Sequence, residues 1–162
     1  MSEFFGSDVM QCVILAAGSS VRLGRDKALI EVGPQALISW ISQRLSGHVD
    51  NITIVTNEAN FEQISKIVSD AKVVLNPHPD KGRTGSLKIG IESIDSSGAE
   101  DYRLLVVPVD RPGFSDSTLE RLICSHKTCC PMKEGKGGHP LALACEDVGT
   151  VSYTHLTLPT TG

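Results

Sequence analysis

A chain of 162 residues, 40% of them hydrophobic and 21% charged, is long enough to bury one core around a single sheet. With 19 acidic and 15 basic side chains its formal net charge is −4, which argues against a general nucleic-acid binder, whose footprint is a basic surface. Cys12, Cys124, Cys129, Cys130 and Cys145 are odd in number and form no C-x-x-C pair, the opening residues lack a basic-then-apolar leader, and no run nears the roughly 18 apolar residues of a membrane span, so a cytoplasmic protein without a membrane partner is expected.

Strand and helix signals then alternate, as in a parallel sheet with crossover helices. Residues 12–15 form the first predicted strand, Cys-Val-Ile-Leu. Ala36, Leu37, Trp40, Ile41 and Leu45 share one helical face, with Gly47 as the stop. Residues 52–56 are the second strand, followed by Phe61, Ile64, Ile67 and Val68 at helical spacing. Residues 72–76 are the third strand, closed by Pro77 and Pro79. A glycine-bearing loop over 81–86 opens a helix that buries Leu87, Gly90, Ile91 and Ile94, and a break follows at 96–98. Residues 103–107, Arg-Leu-Leu-Val-Val, are apolar enough for a strand buried on both faces. The next helix begins near 115–117, with Ser117 and Glu120 as a capping box and Leu119, Leu122 and Ile123 facing inward. One or two further strands surround a turn at Gly137 and Gly138, and the vicinal Cys129 and Cys130 read as buried strand packing.

The most informative stretch is 15–27, Leu-Ala-Ala-Gly-Ser-Ser-Val-Arg-Leu-Gly-Arg-Asp-Lys. Small residues directly after an apolar strand let main-chain N–H groups approach phosphate oxygens, and Arg22, Arg25 and Lys27 bring neutralising charge. The glycine spacing is neither the dinucleotide fingerprint nor the Walker loop. Other candidates also end strands: Asn57 the second, Asn76 to Ser86 the third, and Pro108 to Pro112 the fourth. Open α/β sheets bind ligands at this carboxyl edge, near where strand order reverses.

The run 15–27 resembles the signature of MobA-like nucleotidylyltransferases, the family that attaches CMP or GMP to the molybdenum cofactor. Pro108-Val-Asp-Arg-Pro112 resembles the family's P-x-D-x-P element, 82–90 its G-x-x-x-S-L-x-x-G segment, and Gly138-His-Pro140 its G-H-P element. The resemblance implies an α/β fold: a Rossmann-like three-layer sandwich with a mostly parallel sheet, of the nucleotide-diphospho-sugar transferase type. It implies that Leu15, Ala16, Ala17, Gly18 and Ser19 hold the nucleotide, that Arg22 neutralises the leaving pyrophosphate, and that Lys27 lies against the α-phosphate. Asp110 is implied as a Mg²⁺ ligand, Gly82 and Ser86 as base or ribose contacts. Asn57 and Asn76 are either nucleotide contacts or turn residues, and His139 either binds acceptor phosphate or fixes a turn. Leu-Ala-Ala-Gly, in place of Leu-Ala-Gly-Gly, sides with the cytidylyl branch and so with CTP over GTP. The implied partners are a nucleoside triphosphate and a small phosphorylated acceptor such as molybdopterin. The competing functions are transfer to a sugar phosphate and a non-catalytic nucleotide-binding module.

Residues 1–150 are expected to be one nucleotidyltransferase domain, incomplete at its C-terminal end. No charged residue occurs over 151–162, and codons for 151–160 spell a string that resembles a sequencing-library transposon adapter, so that segment reads as a non-native tail. The later aspartate segment of the family, which supplies a second metal ligand, has no match here: Glu146 and Asp147 arrive too early. Weak nucleotide binding and poor turnover by the chain as written are therefore expected.

Overall fold

The structure is a computed structural model that describes residues 9–18, 27–99, 102–109, 113–124, 128, 130, 132, 133, 136, 137, 140–144 and 148, with Lys27, Lys81 and the residues at 132, 133, 136 and 137 described by backbone alone. Its centre is β1 (Met10–Ala16), buried along its whole length. A strand covered on both faces needs apolar side chains on both, and Met10, Cys12, Ile14 and Ala16 feed one core while Val13, Leu15 and Ala17 feed the other. Burial raises the pKa of the Cys12 thiol above the ordinary range, so this cysteine is an inert packing residue.

A single turn of 3-10 helix at Lys27–Leu29 leads into a small hairpin, β2 (Glu31–Val32) and β3 (Gln35–Ala36). Gly33, at φ +64, makes its turn. Helix α1 (Leu37–Ser46) stops at Gly47 as expected, and its buried face is wider than expected, including Ile38 and Ser42 as well as Leu37, Ile41 and Leu45. Trp40 is only partly buried at the margin of that core. Then come β4 (Asn51–Thr56), α2 (Phe61–Ile67) and β5 (Lys72–Leu75). Helix α3 (Gly82–Ser96) buries Ser86, Leu87, Gly90, Ile91 and Ile94, which includes all four positions expected from spacing.

Beyond α3, β6 (Arg103–Pro108) is buried throughout, and α4 (Asp116–Cys124) buries Leu119 and Leu122. Its cap is Ser115 and not Ser117: Thr118 N–H donates to Ser115 Oγ at 3.1 Å, and Leu119 N–H donates to the Ser115 carbonyl. Ser117 already lies inside the helix, so the expected box with Glu120 does not form there. Three short strands follow where one or two were expected: β7 (Met132–Lys133), β8 (Lys136–Gly137) and β9 (Leu141–Leu143). β7 and β8 pair with each other, which puts Gly137 in a strand and not in the turn. Cys130 packs partly buried against the core on the α3 side without belonging to a strand, and Cys129 lies outside the described residues.

The main sheet runs in the order β5-β4-β1-β6-β9, parallel except for β9, which is antiparallel to β6. Side chains of α1, α2 and α4 cover one face and α3 covers the other, which makes a three-layer α/β sandwich. The chain steps from β1 outward to β4 and β5, then returns to the other side of β1 for β6. The order therefore reverses at β1, and the crevice belongs beside its carboxyl end. No described helix is long and apolar enough to cross a membrane.

Candidate nucleotide site

At the carboxyl end of β1 the chain turns through Ala16, Ala17 and Gly18, and the carbonyls of this turn are held from neighbouring elements. Val109 N–H, just past β6, donates to the Leu15 carbonyl at 3.0 Å. From the β4–α2 connection, Asn60 Nδ2 donates to the Ala16 carbonyl at 2.9 Å and Asn57 Nδ2 to the Ala17 carbonyl at 3.1 Å, with a longer 3.5 Å approach to the Gly18 carbonyl. The two asparagines also brace each other. Asn57 N–H donates to Asn60 Oδ1 at 2.9 Å, and Asn60 N–H donates to Asn57 Oδ1 at 3.0 Å. Each side-chain oxygen faces a backbone donor and each nitrogen a backbone acceptor, which fixes the orientation of both amides. Asn60 is fully buried.

Turning these carbonyls toward the protein has an electrostatic consequence. A carbonyl aimed at a bound phosphate would repel it, whereas N–H groups attract it. Among the described residues, the Gly18 N–H donates to no backbone acceptor and a Cβ built on Gly18 would meet nothing within 4 Å. The turn thus has the acceptors of Leu15, Ala16 and Ala17 neutralised behind it.

A second cluster lies beyond β5. Asn76 Nδ2 donates to Ser86 Oγ at 2.9 Å, and His78 N–H donates to Asn76 Oδ1 at 2.8 Å. Asn76 is 1% exposed and Ser86 5%, so both ends of the Asn76 amide are spent inside the protein while the Ser86 hydroxyl keeps a proton to give. Gly82 opens α3 at φ +85, a backbone conformation that side chains with a Cβ rarely adopt. Asn57 and Asn76, expected as nucleotide contacts or turn residues, are observed bonded within the fold. Asn60, which sequence reasoning passed over, makes the most buried of these bonds.

Leu15, Ala16, Ala17, Gly18 and Asn57 therefore gather at the end of β1, with Asn76, Gly82 and Ser86 at the end of the β5 side of the same sheet. Lys27 is placed by its backbone at the start of the 3-10 turn. Ser19, Arg22, Asp110 and His139 lie outside the described residues; Asp110 directly follows Val109, whose N–H is tied to β1. Among the described residues no group of three His, Cys, Asp or Glu could hold a metal ion. A cavity of about 490 Å³ opens at the opposite edge, lined in part by Gln11, Thr53, Lys72 and Ser93. It lies at the amino ends of the strands, away from the crevice that the strand order defines.

Strand order, helix placement and a small-residue turn at the switch point define an α/β protein of the nucleotide-diphospho-sugar transferase fold. Among solved structures it is similar to a nucleotidyl transferase from Methanothermobacter, with a TM-score of 0.72 at 21% identity over 94% of this chain and 78% of that one. It is also similar to molybdopterin-guanine dinucleotide biosynthesis protein A from Archaeoglobus fulgidus, with a TM-score of 0.62 at 16% identity over 87% and 70% of the two chains. The model of the MobA-like NTP transferase domain matches residues 12–154, and the chain belongs to that family of nucleotidyltransferases. A curated relative, the molybdenum cofactor guanylyltransferase of Cereibacter sphaeroides, is 30% identical over 132 residues, or 79% of this chain. The chain spans 64% of that relative's length.

Proposed function

We propose that the chain carries the nucleotide site of an enzyme that transfers a nucleoside monophosphate from a nucleoside triphosphate to molybdopterin. An acceptor phosphate oxygen attacks the α-phosphorus, the bond between that phosphorus and the bridging oxygen breaks, and pyrophosphate leaves. Negative charge is crowded at every stage, so positioning and electrostatic stabilisation supply most of the rate. The observation that carries this reading is the turn after β1, whose carbonyls are bound from behind by Asn57 and Asn60.

In this reading the main chain of 15–19 cradles the triphosphate, Arg22 neutralises the leaving pyrophosphate, and Lys27 lies against the α-phosphate. Ser86 gives its free hydroxyl proton to base or ribose, beside the α3 start at Gly82. Asn57 and Asn76 act indirectly, the first by holding the β1 turn and the second by aiming Ser86. His139 serves the acceptor side. Asp110 is the residue that would hold Mg²⁺, since this ion commonly takes one or two protein carboxylates and completes its shell with phosphate oxygens and water. The tie from Val109 to Leu15 supports that assignment, because it anchors the residue before Asp110 beside the turn. Bound there, the ion would offset charge on the phosphates.

GMP is the favoured group. The guanylyltransferase name of the curated relative outweighs the cytidylyl lean drawn from Leu-Ala-Ala-Gly, and CTP becomes the second candidate. The domain is assigned to residues 1–150, and no role is given to 151–162. The test is a pyrophosphate-release panel with GTP, CTP and UTP, each against molybdopterin and a sugar phosphate in the presence of Mg²⁺. Slow release, highest with GTP and molybdopterin, is expected, in keeping with the poor turnover expected of this chain. Release only with a sugar phosphate would replace the acceptor, and nucleotide binding with no release above background in any pair, even on long incubation, would favour a binding module.

A further inference from the structure

We infer that Asn60 is a positioning residue for the triphosphate, acting through the β1 turn without touching the ligand. The inference rests on the reading of that turn as the nucleotide site. Three observations carry it. Asn60 is fully buried, so it is out of reach of a ligand in the crevice. Its amide joins two elements at once, with Nδ2 giving to the Ala16 carbonyl at 2.9 Å and Oδ1 taking the Asn57 N–H at 2.9 Å. Asn57 in turn holds the Ala17 carbonyl at 3.1 Å, so one buried side chain sets two successive carbonyls of the turn, its own target and that of Asn57.

The chemistry follows from the direction of those carbonyls. With the Asn60 donor in place, the Ala16 carbonyl is saturated and points toward the protein. Without it, a buried acceptor is left unsatisfied, and the turn can recover a partner only by rotating a peptide plane. Rotation would bring an oxygen toward the phosphates in place of an N–H. A single donor lost behind the loop is thus converted into repulsion in front of it.

The experiment compares wild type with Asn60→Asp and Asn60→Ser by calorimetric titration with GTP and with GMP in Mg²⁺, alongside thermal melting. Aspartate keeps an oxygen for the Asn57 N–H and, ionised, cannot donate to Ala16; serine is one bond too short for either contact. Serine also carries no charge, which separates lost positioning from added repulsion. The expected result is at least a tenfold loss of GTP affinity in both variants, larger than the loss for GMP, which lacks the outer phosphates. Equal proportional losses for GTP and GMP would indicate a merely structural role and overturn the inference. Unchanged GTP affinity in folded variants would overturn it while leaving the site reading intact. Failure of wild type to bind either nucleotide would overturn the site reading and this inference with it.

Discussion

Gly90 packs against Val13 so closely that a Cβ built on the glycine would stand 2.9 Å from Val13 Cγ1, with Val55 Cγ2 at 3.2 Å. This is where α3 seats on the sheet, and the absence of a side chain sets how near the helix comes to β1 and β4. The seat matters to the site because the same helix carries Ser86 at its opening turns.

Gly90→Ala is expected to destabilise the protein despite the better helix former. Alanine gains about 1 kcal/mol of helix propensity over glycine, while forcing a methyl into a filled core costs about 1–3 kcal/mol. Val13 and Val55 are fully buried and have little room to yield. Urea denaturation should show a net loss of about 1 kcal/mol, and a gain in stability would contradict the packing described.

Asn76→Ala should cost more than the loss of a surface amide, because Asn76 is buried. Removing this amide strands the buried Ser86 hydroxyl, and a buried polar group left unsatisfied costs about 1–3 kcal/mol, while the N–H of the exposed His78 loses its partner where water can replace it. Ser86→Ala removes one partner only. A double-mutant cycle on Asn76 and Ser86 by chemical denaturation is expected to give a coupling of about 1 kcal/mol, and strict additivity would show that the bond does not matter to stability.

The tie between α1 and α4 gives a pH prediction. The Arg44 guanidinium lies 4.5 Å from the Phe114 ring centre and 5.1 Å from that of Trp40, and it donates to Asp116 Oδ1 at 2.8 Å. The hydrogen bond and charge of Arg44 lower the Asp116 pKa below the ordinary carboxylate value. A carboxylate whose folded pKa is depressed contributes its stability above the unfolded value, about 3.9, and loses it as the pH falls through the folded value. Asp116 is exposed, so the contribution is small. Melting temperature against pH should show wild type slightly above Asp116→Asn near neutrality, with the gap closing below about pH 4. A gap that widens on acidification would contradict the assignment.

Much of this architecture is legible in the sequence because burial leaves a period. The apolar run of β6 and the spacing of Leu87, Gly90, Ile91 and Ile94 in α3 follow directly from faces that must be covered. Short elements leave no such trace. The hairpin of β2 and β3 has two residues in each strand, too few for any alternation, and β9 gains its place only by pairing with β6. At α4, Ser115 and Ser117 both have a hydroxyl suited to capping, and only the backbone path chooses between them. The turn after β1 was visible from its small residues and following charges. Asn60 was not, since it reads as one more polar residue in a turn. Its role arises when parallel pairing of β1 and β4 brings it to a carbonyl 44 positions earlier.

The most direct test of the nucleotide site is a calorimetric titration of GTP in Mg²⁺, comparing the protein with Arg22→Ala and Lys27→Ala. Each of these side chains is assigned a phosphate, and a charge-assisted hydrogen bond contributes about 1.5–3 kcal/mol, so each variant should lose about tenfold or more in affinity. Saturable binding by wild type, weakened in both variants with melting temperatures unchanged, is the predicted result. Wild-type affinity in both variants would contradict the account.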